Sequence, residues 1–386
     1  MTLSRRKMIR LVGGGAVFAA GGAFGLAASR NPRTAFQPWD RAGAYDDPRM
    51  RALSWALLAP NPHNRQPWIA DLAQPGHIGL VCDGERLLPE TDPFGRQILI
   101  GCGAFIELAV IAAAQRGVAV AVQLFPDGAP AADALPRGAH VAVLQLREAG
   151  SAQPDPLFAQ IPRRHTNKTA YANDRALPAQ LTMQWAQTAQ RFGLASGVVV
   201  DAVGMDRLRA VTREAYAIET TTPRTWLESA HLMRIGPGAI ARHRDGISLN
   251  GTLPRLMHAV GLFDPLEVPE PGSGNLQRAM ERWAACETGS GYLWLASSGN
   301  TRALQVDAGR AYVRQQLQAS AAGVQMHPLS QALQEFPEVR GPRAAVHQAL
   351  GLDPQRSTLQ MLARTGFALQ PAQPSPRRGL QAMLRA

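Results

Sequence analysis

The stretch from Ile98 to Ala114 constrains the fold more than any other. It reads Ile-Leu-Ile-Gly-Cys-Gly-Ala-Phe-Ile-Glu-Leu-Ala-Val-Ile-Ala-Ala-Ala, with Glu107 as its one charge. A helix that is apolar on every face has no side to give to water and must be covered all round. A carboxylate inside it is costly unless it is paired or near a rim. Asp92-Pro93-Phe94-Gly95-Arg96 opens this helix and Gly117 closes it.

The flanking sequence supplies neighbours for it. Asp46 or Asp47 can cap a helix with Pro48 at its first position and Met50, Leu53 and Leu57 at helical spacing. Pro60 stops that helix. Ile69 to Leu72 and His77 to Val81 read as a hairpin, with Pro75-Gly76 suited to a type II turn. Val118 to Leu124 and Val141 to Leu146 are strand-like, and Gly150 to Pro156 reads as a junction. Beyond it come a helix at Leu181–Phe192, a strand at Gly197–Val203 and a helix at Met205–Ile218. Tyr292–Ala296 is strand-like, and Leu304–Ala322 is a helix closed by Gly323-Val324. That closure echoes Gly117-Val118. Leu359–Leu362 and Gly366–Leu369 form a last strand region. Residues 30–45 read as a linker. Residues 223–274, with loop-like pieces at Gly246–Gly251 and Pro265–Gly274, read as an insertion that could cover a ligand.

The chain has 386 residues, two to three domains' worth, and 46% hydrophobic residues can support a sizeable core. The net charge of +11 is nearly all arginine; Lys7 and Lys168 are the lysines. Residues 1–29 carry Arg5, Arg6, Lys7 and Arg10 and no acid, so the remainder carries +7. That balance favours anionic ligands. There is no basic run interleaved with aromatics, which argues against nucleic acid. Cys82, Cys102 and Cys286 give neither a metal pattern nor a disulfide framework.

Two polar stretches carry the chemistry. The first is Ala59-Pro60-Asn61-Pro62-His63-Asn64-Arg65-Gln66-Pro67-Trp68. Its three prolines exclude a regular helix and make a rigid loop. Side-chain amides carry both a donor and an acceptor, so they can match the edge of a heterocycle. On residue chemistry alone, a polar helix-to-strand loop with Trp68 as core anchor is the plainer and favoured reading. The second is Ile161 to Tyr171, where Arg163, Arg164 and Lys168 stand with Thr166 and Thr169 within seven residues. Guanidinium forks and an ammonium complement a phosphate. A solvated basic turn is the plainer alternative.

These stretches resemble motifs of nitroreductase-like flavoproteins. Residues 59–68 resemble the A-P-S-x-x-N-x-Q-P-W segment, with Asn61 in place of the serine. The His63-Asn64 pair is closer to the subgroup of Acg-like FMN-binding oxidoreductases. Residues 163–168 resemble the R-R-S-x-R motif that holds the FMN phosphate, with Thr166 and Lys168 as chemically equivalent replacements. Pro376-Arg377-Arg378-Gly379-Leu380 resembles the terminal P-R-R-P-L segment. Ser4-Arg5-Arg6-Lys7-Met8-Ile9-Arg10, followed by the apolar run Leu11–Ala28, resembles a twin-arginine export signal. Ala27 and Ser29 are small enough for a cleavage site.

The resemblance implies an α+β nitroreductase-like fold in two tandem halves, each a mixed, mainly antiparallel sheet flanked by helices. The expected boundaries are 1–29 for the signal, 30–45 for the linker, and 46–150 and 151–386 for the halves. In ordinary members two subunits share each flavin. Here the amide loop lies in the first half and the phosphate motif in the second, which implies a monomeric pseudo-dimer with one site. The implied cofactor is FMN, with NAD(P)H as a candidate electron donor. Asn61, His63, Asn64 and Gln66 would lie at the flavin edge. Arg163, Arg164, Thr166 and Lys168 would hold the phosphate, with Arg377 and Arg378 beside them. No catalytic side chain and no metal are implied.

The implied activity is hydride transfer through flavin N5 to a small acceptor such as a nitro compound or quinone. The alternative is a flavin-sequestering protein without turnover. The export machinery is the expected partner and the periplasm the expected location, or a membrane anchor if the signal is retained.

Overall fold

The computed structural model describes residues 32–385. The expected signal, residues 1–29, lies outside them. Helix α1 spans Arg33–Asp40, within the segment expected to be a linker. Pro38 lies inside it, but in so short a helix the missing N–H removes a single bond. Trp39 fixes α1 in place: its Nε1 donates to Ser375 O at 2.8 Å, and its ring stands 4.7 Å from that of His165. Helix α2 (Pro48–Ala56) starts as expected, with Asp47 accepting from the Arg49 amide at 2.7 Å.

Four strands and one long helix follow: β1 (Trp68–Asp71), β2 (His77–Cys82), α3 (Arg96–Ala114), β3 (Val118–Leu124) and β4 (His140–Ala149). The strands form a sheet in the order β1-β2-β4-β3, antiparallel throughout. After the junction come α4 (Ala179–Gln190), β5 (Ala195–Val199), α5 (Ala202–Thr221), α6 (Pro223–His231), β6 (Met233–Ile235), α7 (Gly236–His243), β7 (Ile247–Leu249), α8 (Thr252–Ala259) and α9 (Gly274–Trp283). The chain continues through β8 (Gly291–Ser297), α10 (Arg302–Ala321), β9 (Gln325–Pro328), α11 (Arg340–Ala349) and β10 (Thr358–Gly366). The second sheet has the order β5-β8-β10-β9 and is also antiparallel.

Counted from its own first strand, the second sheet repeats the order of the first. In each, a long helix joins the second strand to the third. The difference lies between the first and second strands. A tight turn at residues 72–76 makes that connection in the first sheet, whereas residues 200–290 make it in the second.

Three sequence expectations need correction. The strand expected over Gly197–Val203 ends at Val199, because Asp201 caps α5 by accepting from Gly204 N at 2.8 Å. The piece Gly246–Gly251 is not a loop throughout: Ile247–Leu249 pairs in parallel with β6. Three residues are too few to show a period. The last strand is one run, Thr358–Gly366, rather than two. The C-terminal segment then returns to the first sheet, where Arg385 N donates to Ala70 O at 2.8 Å.

The covering that α3 demands comes largely from α10. Ile98 through Ala109 are all buried. Glu107 is paired with Arg310 at 2.8 Å and with Arg314 at 2.5 Å, which answers its cost in an apolar helix. The two helices meet through glycines. A Cβ on Gly103 would stand 1.9 Å from Val306 O, and one on Gly309 would stand 1.9 Å from Ile100 O. Gly103 thus nests beside residues 306 and 310, and Gly309 beside 100 and 104.

A second reciprocity lies at the helix starts. Buried Arg96 donates to the carbonyls of Leu333 and Gln360. Buried Arg302 donates to those of Phe94 and Ala131, both at 2.7 Å. Each long helix therefore begins on an arginine that ties down backbone of the opposite sheet's surroundings.

Candidate functional site

The loop at 59–68 is strained and heavily held. His63, Asn64 and Gln66 have φ of 46°, 52° and 53°, left-handed values that non-glycine residues rarely adopt. Such conformations persist only where surrounding bonds over-determine them. Asn61 Oδ1 accepts from Gln66 N at 2.7 Å, closing the loop on itself. Gln66 Nε2 donates to Arg244 O at 2.9 Å, and Gln66 Oε1 accepts from Arg378 N at 2.8 Å. Asn64 Nδ2 donates to Pro376 O at 2.9 Å. Arg377, fully buried, donates to Leu57 O at 2.7 Å, to Leu58 O and Ala59 O at 3.1 Å, and to Asn64 Oδ1 at 2.7 Å. The terminal segment is thus a clamp on this loop. Arg377→Ala would take the donor from Leu57 O and from Asn64 Oδ1, at about 1–3 kcal/mol each, while Leu58 O and Ala59 O keep Arg164 and Asn61. Urea unfolding should show a loss of about 3–5 kcal/mol on that reckoning.

The loop forms one wall of a cavity of about 370 Å³. That volume lies within the range of small-molecule sites. α3 contributes Gln97, Ile100, Gly101 and Ala104; the second sheet's region contributes Thr166, Lys168, Tyr312, His327 and Met361. Tyr216 and Glu219 reach it from α5, and Gln331 and Gln334 from the turn after β9. Trp226, Ser229, Met233 and Ile247 cover it from the long connection. That cover is tied to the first sheet's side. Asp245 takes Arg86 at 2.9 Å, Arg65 at 3.2 Å and Arg234 at 3.0 Å. Glu228 accepts from the amides of Glu90 and Thr91 at 2.9 and 3.0 Å. His63 Nε2 bonds Ser229 Oγ across the gap at 3.0 Å.

Of the ten residues the sequence singled out, Asn61, His63, Thr166 and Lys168 line the cavity. The structure places the other six elsewhere. The amides of Asn64 and Gln66 are spent on the clamp. Arg163 is exposed. Arg164 is buried and donates to Leu58 O at 2.8 Å and Gln316 Oε1 at 3.1 Å. Arg377 holds the loop from behind. Arg378 lies 3.7 Å from Asp83. Lys168 is accessible through the cavity and has no salt bridge among the described residues; burial lowers its pKa.

Sequence reading missed Gln97, Glu219, Tyr312, His327, Gln331 and Gln334. Gln97 had a signal, as the one uncharged polar residue at the head of the apolar helix. The others stand at separate points of the second region, and only folding brings them together.

Several buried polar atoms on this wall lack partners among the described residues: Gln97 Nε2, Tyr312 Oη, Gln331 Oε1, Gln334 Oε1 and Glu219 Oε2. Unpartnered buried groups are costly. Donors and acceptors set around a cavity with apolar faces at Ile100 and Met361, together with a free ammonium, fit a planar heterocycle that carries an anionic group. The residues present therefore fit FMN.

Burial also keeps two histidines near the site neutral. His63 is lowered to about 4 by burial and then by Lys168 and Arg65; His165 is lowered to about 4 by burial and then by Arg164 and Arg377. Unfolded, both titrate near 6.5. The stability this contributes is complete above about 6.5 and is lost as pH falls toward about 4. The urea midpoint should fall across that window, and His63→Asn with His165→Asn should flatten the slope.

No family model matches the chain. A Mycobacterium tuberculosis protein of strain H37Rv, named as an NAD(P)H nitroreductase, is 28% identical over 339 residues, covering 85% of this chain and 88% of that protein. The M. tuberculosis NAD(P)H nitroreductase acg is 38% identical over 76 residues, 20% of this chain and 23% of that protein. Among solved structures, the FMN-dependent nitroreductase NfnB of Mycobacterium smegmatis, in complex with NADPH, matches 58% of this chain and 95% of its own, at 18% identity and a TM-score of 0.36. Sequence similarity to proteins named as NAD(P)H nitroreductases thus runs along most of this chain.

Proposed function

We propose that this chain is an FMN-dependent oxidoreductase of the nitroreductase type, and that one flavin binds in the cavity between the two sheet regions. The single observation that carries this reading is the set of unpartnered polar atoms around that cavity, on a chain similar to NAD(P)H nitroreductases. Bound FMN supplies hydride transfer at N5. The chain's own residues bind and orient it. Asn61 and Gln97 address the ring's donor and acceptor edge, Thr166 and Lys168 meet the anionic part, and Ile100 and Met361 face the ring. The cover at Trp226 and Met233 excludes water. The acceptor is a nitro compound or quinone, and NAD(P)H is the donor.

The halves at 46–150 and 151–386 act as an intramolecular pseudo-dimer. The repeated strand order and the reciprocal glycine and arginine contacts of α3 and α10 support that reading. The absorbance spectrum of the purified protein, with light scattering, tests both parts. The expected result is a yellow monomer with one reducible FMN per chain. A colourless protein that takes up no FMN would overturn the reading. Bound flavin that no donor reduces would favour sequestration.

Export by the twin-arginine route belongs to the same proposal. Replacing Arg5 and Arg6 by lysine should hold the protein in the cytoplasm, as seen by fractionation. Unchanged appearance in the periplasm would point to ordinary secretion.

A further inference from the structure

Glu219 is the carboxyl among the polar groups that line the cavity. It stands in the last turn of α5, is 8% exposed, and borders the cavity. Its Oε2 has no hydrogen-bond partner among the described residues. Lys168 borders the same cavity, yet no salt bridge joins the two. The unpartnered oxygen of Glu219 therefore borders space that a bound molecule can fill.

We propose that Glu219 is the acid that gives the acceptor its proton during reduction in this cavity. This rests on the flavin reading above. Reduced FMN, when bound, would supply a quinone acceptor with a hydride, that is two electrons and one proton. The second proton comes from Glu219: its O–H bond breaks as the hydroquinone O–H bond forms. The carboxylate then regains a proton from water. A reducing agent of the nicotinamide class restores the flavin.

The surroundings suit this role. Burial raises the Glu219 carboxyl to about 7, so a proton is present at neutral pH. The groups that face it are few. The amides of Gln334 and Gln331 lower its pKa, Glu228 on α6 raises it, and Lys168 lowers it. Tyr216, one turn earlier on α5, is itself raised to about 12 and stays neutral. The C-terminal end of a helix also disfavours a carboxylate. An acid with a pKa near the working pH is the efficient one for general acid catalysis.

The test uses the FMN-loaded full chain, Glu219→Gln and Glu219→Asp. FMN titration comes first. Infrared spectroscopy without turnover should show a protonated-carboxyl band that titrates near pH 7 and is absent from Glu219→Gln. Reoxidation of the reduced protein by 1,4-benzoquinone should slow above that pH in the parent. In Glu219→Gln it should be about 100-fold slower and flat with pH, the low end of general acid effects. Glu219→Asp should restore the pH dependence. Parent-like reoxidation by Glu219→Gln, or no titrating band, would overturn the proposal while leaving flavin binding intact. A chain that takes up no FMN would overturn the underlying reading, and this step with it.

Discussion

Gly103→Ala and Gly309→Ala are each expected to cost about 3 kcal/mol, the upper end for overpacking. The new methyl group would stand 1.9 Å from a backbone oxygen of the facing helix in either case. A backbone oxygen cannot turn aside as a flexible side chain can, so α3 and α10 must separate. Separation uncovers the apolar faces of both helices and pulls Glu107 from Arg310 and Arg314. The double variant should lose at least as much as either single variant but less than their sum, because both methyl groups force the same separation. Gly101→Ala is the control. Its Cβ would meet Asn61 Cβ at 3.0 Å, a side chain on the cavity wall. It should disturb the loop and spare the fold. Urea midpoints measure all four. A double variant with the parent's midpoint would mean that the helices do not cross so closely.

Lys168→Ala should weaken FMN binding about 10- to 100-fold. A charge-assisted hydrogen bond is worth roughly 1.5–3 kcal/mol, and each 1.4 kcal/mol is about a decade. Lys168 borders the cavity and makes no salt bridge among the described residues. Arg163→Ala should leave affinity unchanged, because Arg163 is exposed and does not line the cavity. Riboflavin, which lacks the phosphate, separates two ways of holding the cofactor. If Lys168 meets the phosphate, riboflavin binds weakly to the parent and equally to the variant. If it meets the ring, both ligands weaken together. Fluorescence titration reads each case.

Much of this was legible in the sequence because local rules carried it. The cap at Asp47, the proline stop at Pro60 and the apolar run from Ile98 each dictate one element from neighbouring residues. The pairing of Glu107 was foreseen only as a need; its arginines are some 200 residues away. The loop at 59–68 was legible as a binding wall, but the division of labour within it was not. Asn61 and His63 face the cavity, while Asn64 and Gln66 turn to the terminal segment, because left-handed backbone at residues 63, 64 and 66 redirects successive side chains. A motif gives residue types and order, not the sign of φ. The internal echo seen at Gly117-Val118 and Gly323-Val324 had company. Arg96 and Arg302, and Gly103 and Gly309, share the same 206-residue offset. Their meaning needs the partner helix in view.

The apolar helix α3 bears on how such a chain is made and moved. It has 19 residues, and an 18-residue window of it has a mean hydropathy of 2.0, long and apolar enough to cross a bilayer, yet that window is largely buried in the protein. Its principal cover, α10, is translated about 200 residues later. Until then, a nascent chain displays what a translocation channel reads as a stop-transfer segment. Threading it unfolded would invite lateral release into the lipid. Folding first hides that segment, and the proposed twin-arginine route is one that accepts a folded cargo. The helix that anchors the interior would then also decide the order of biogenesis, with the flavin loaded before the membrane is crossed.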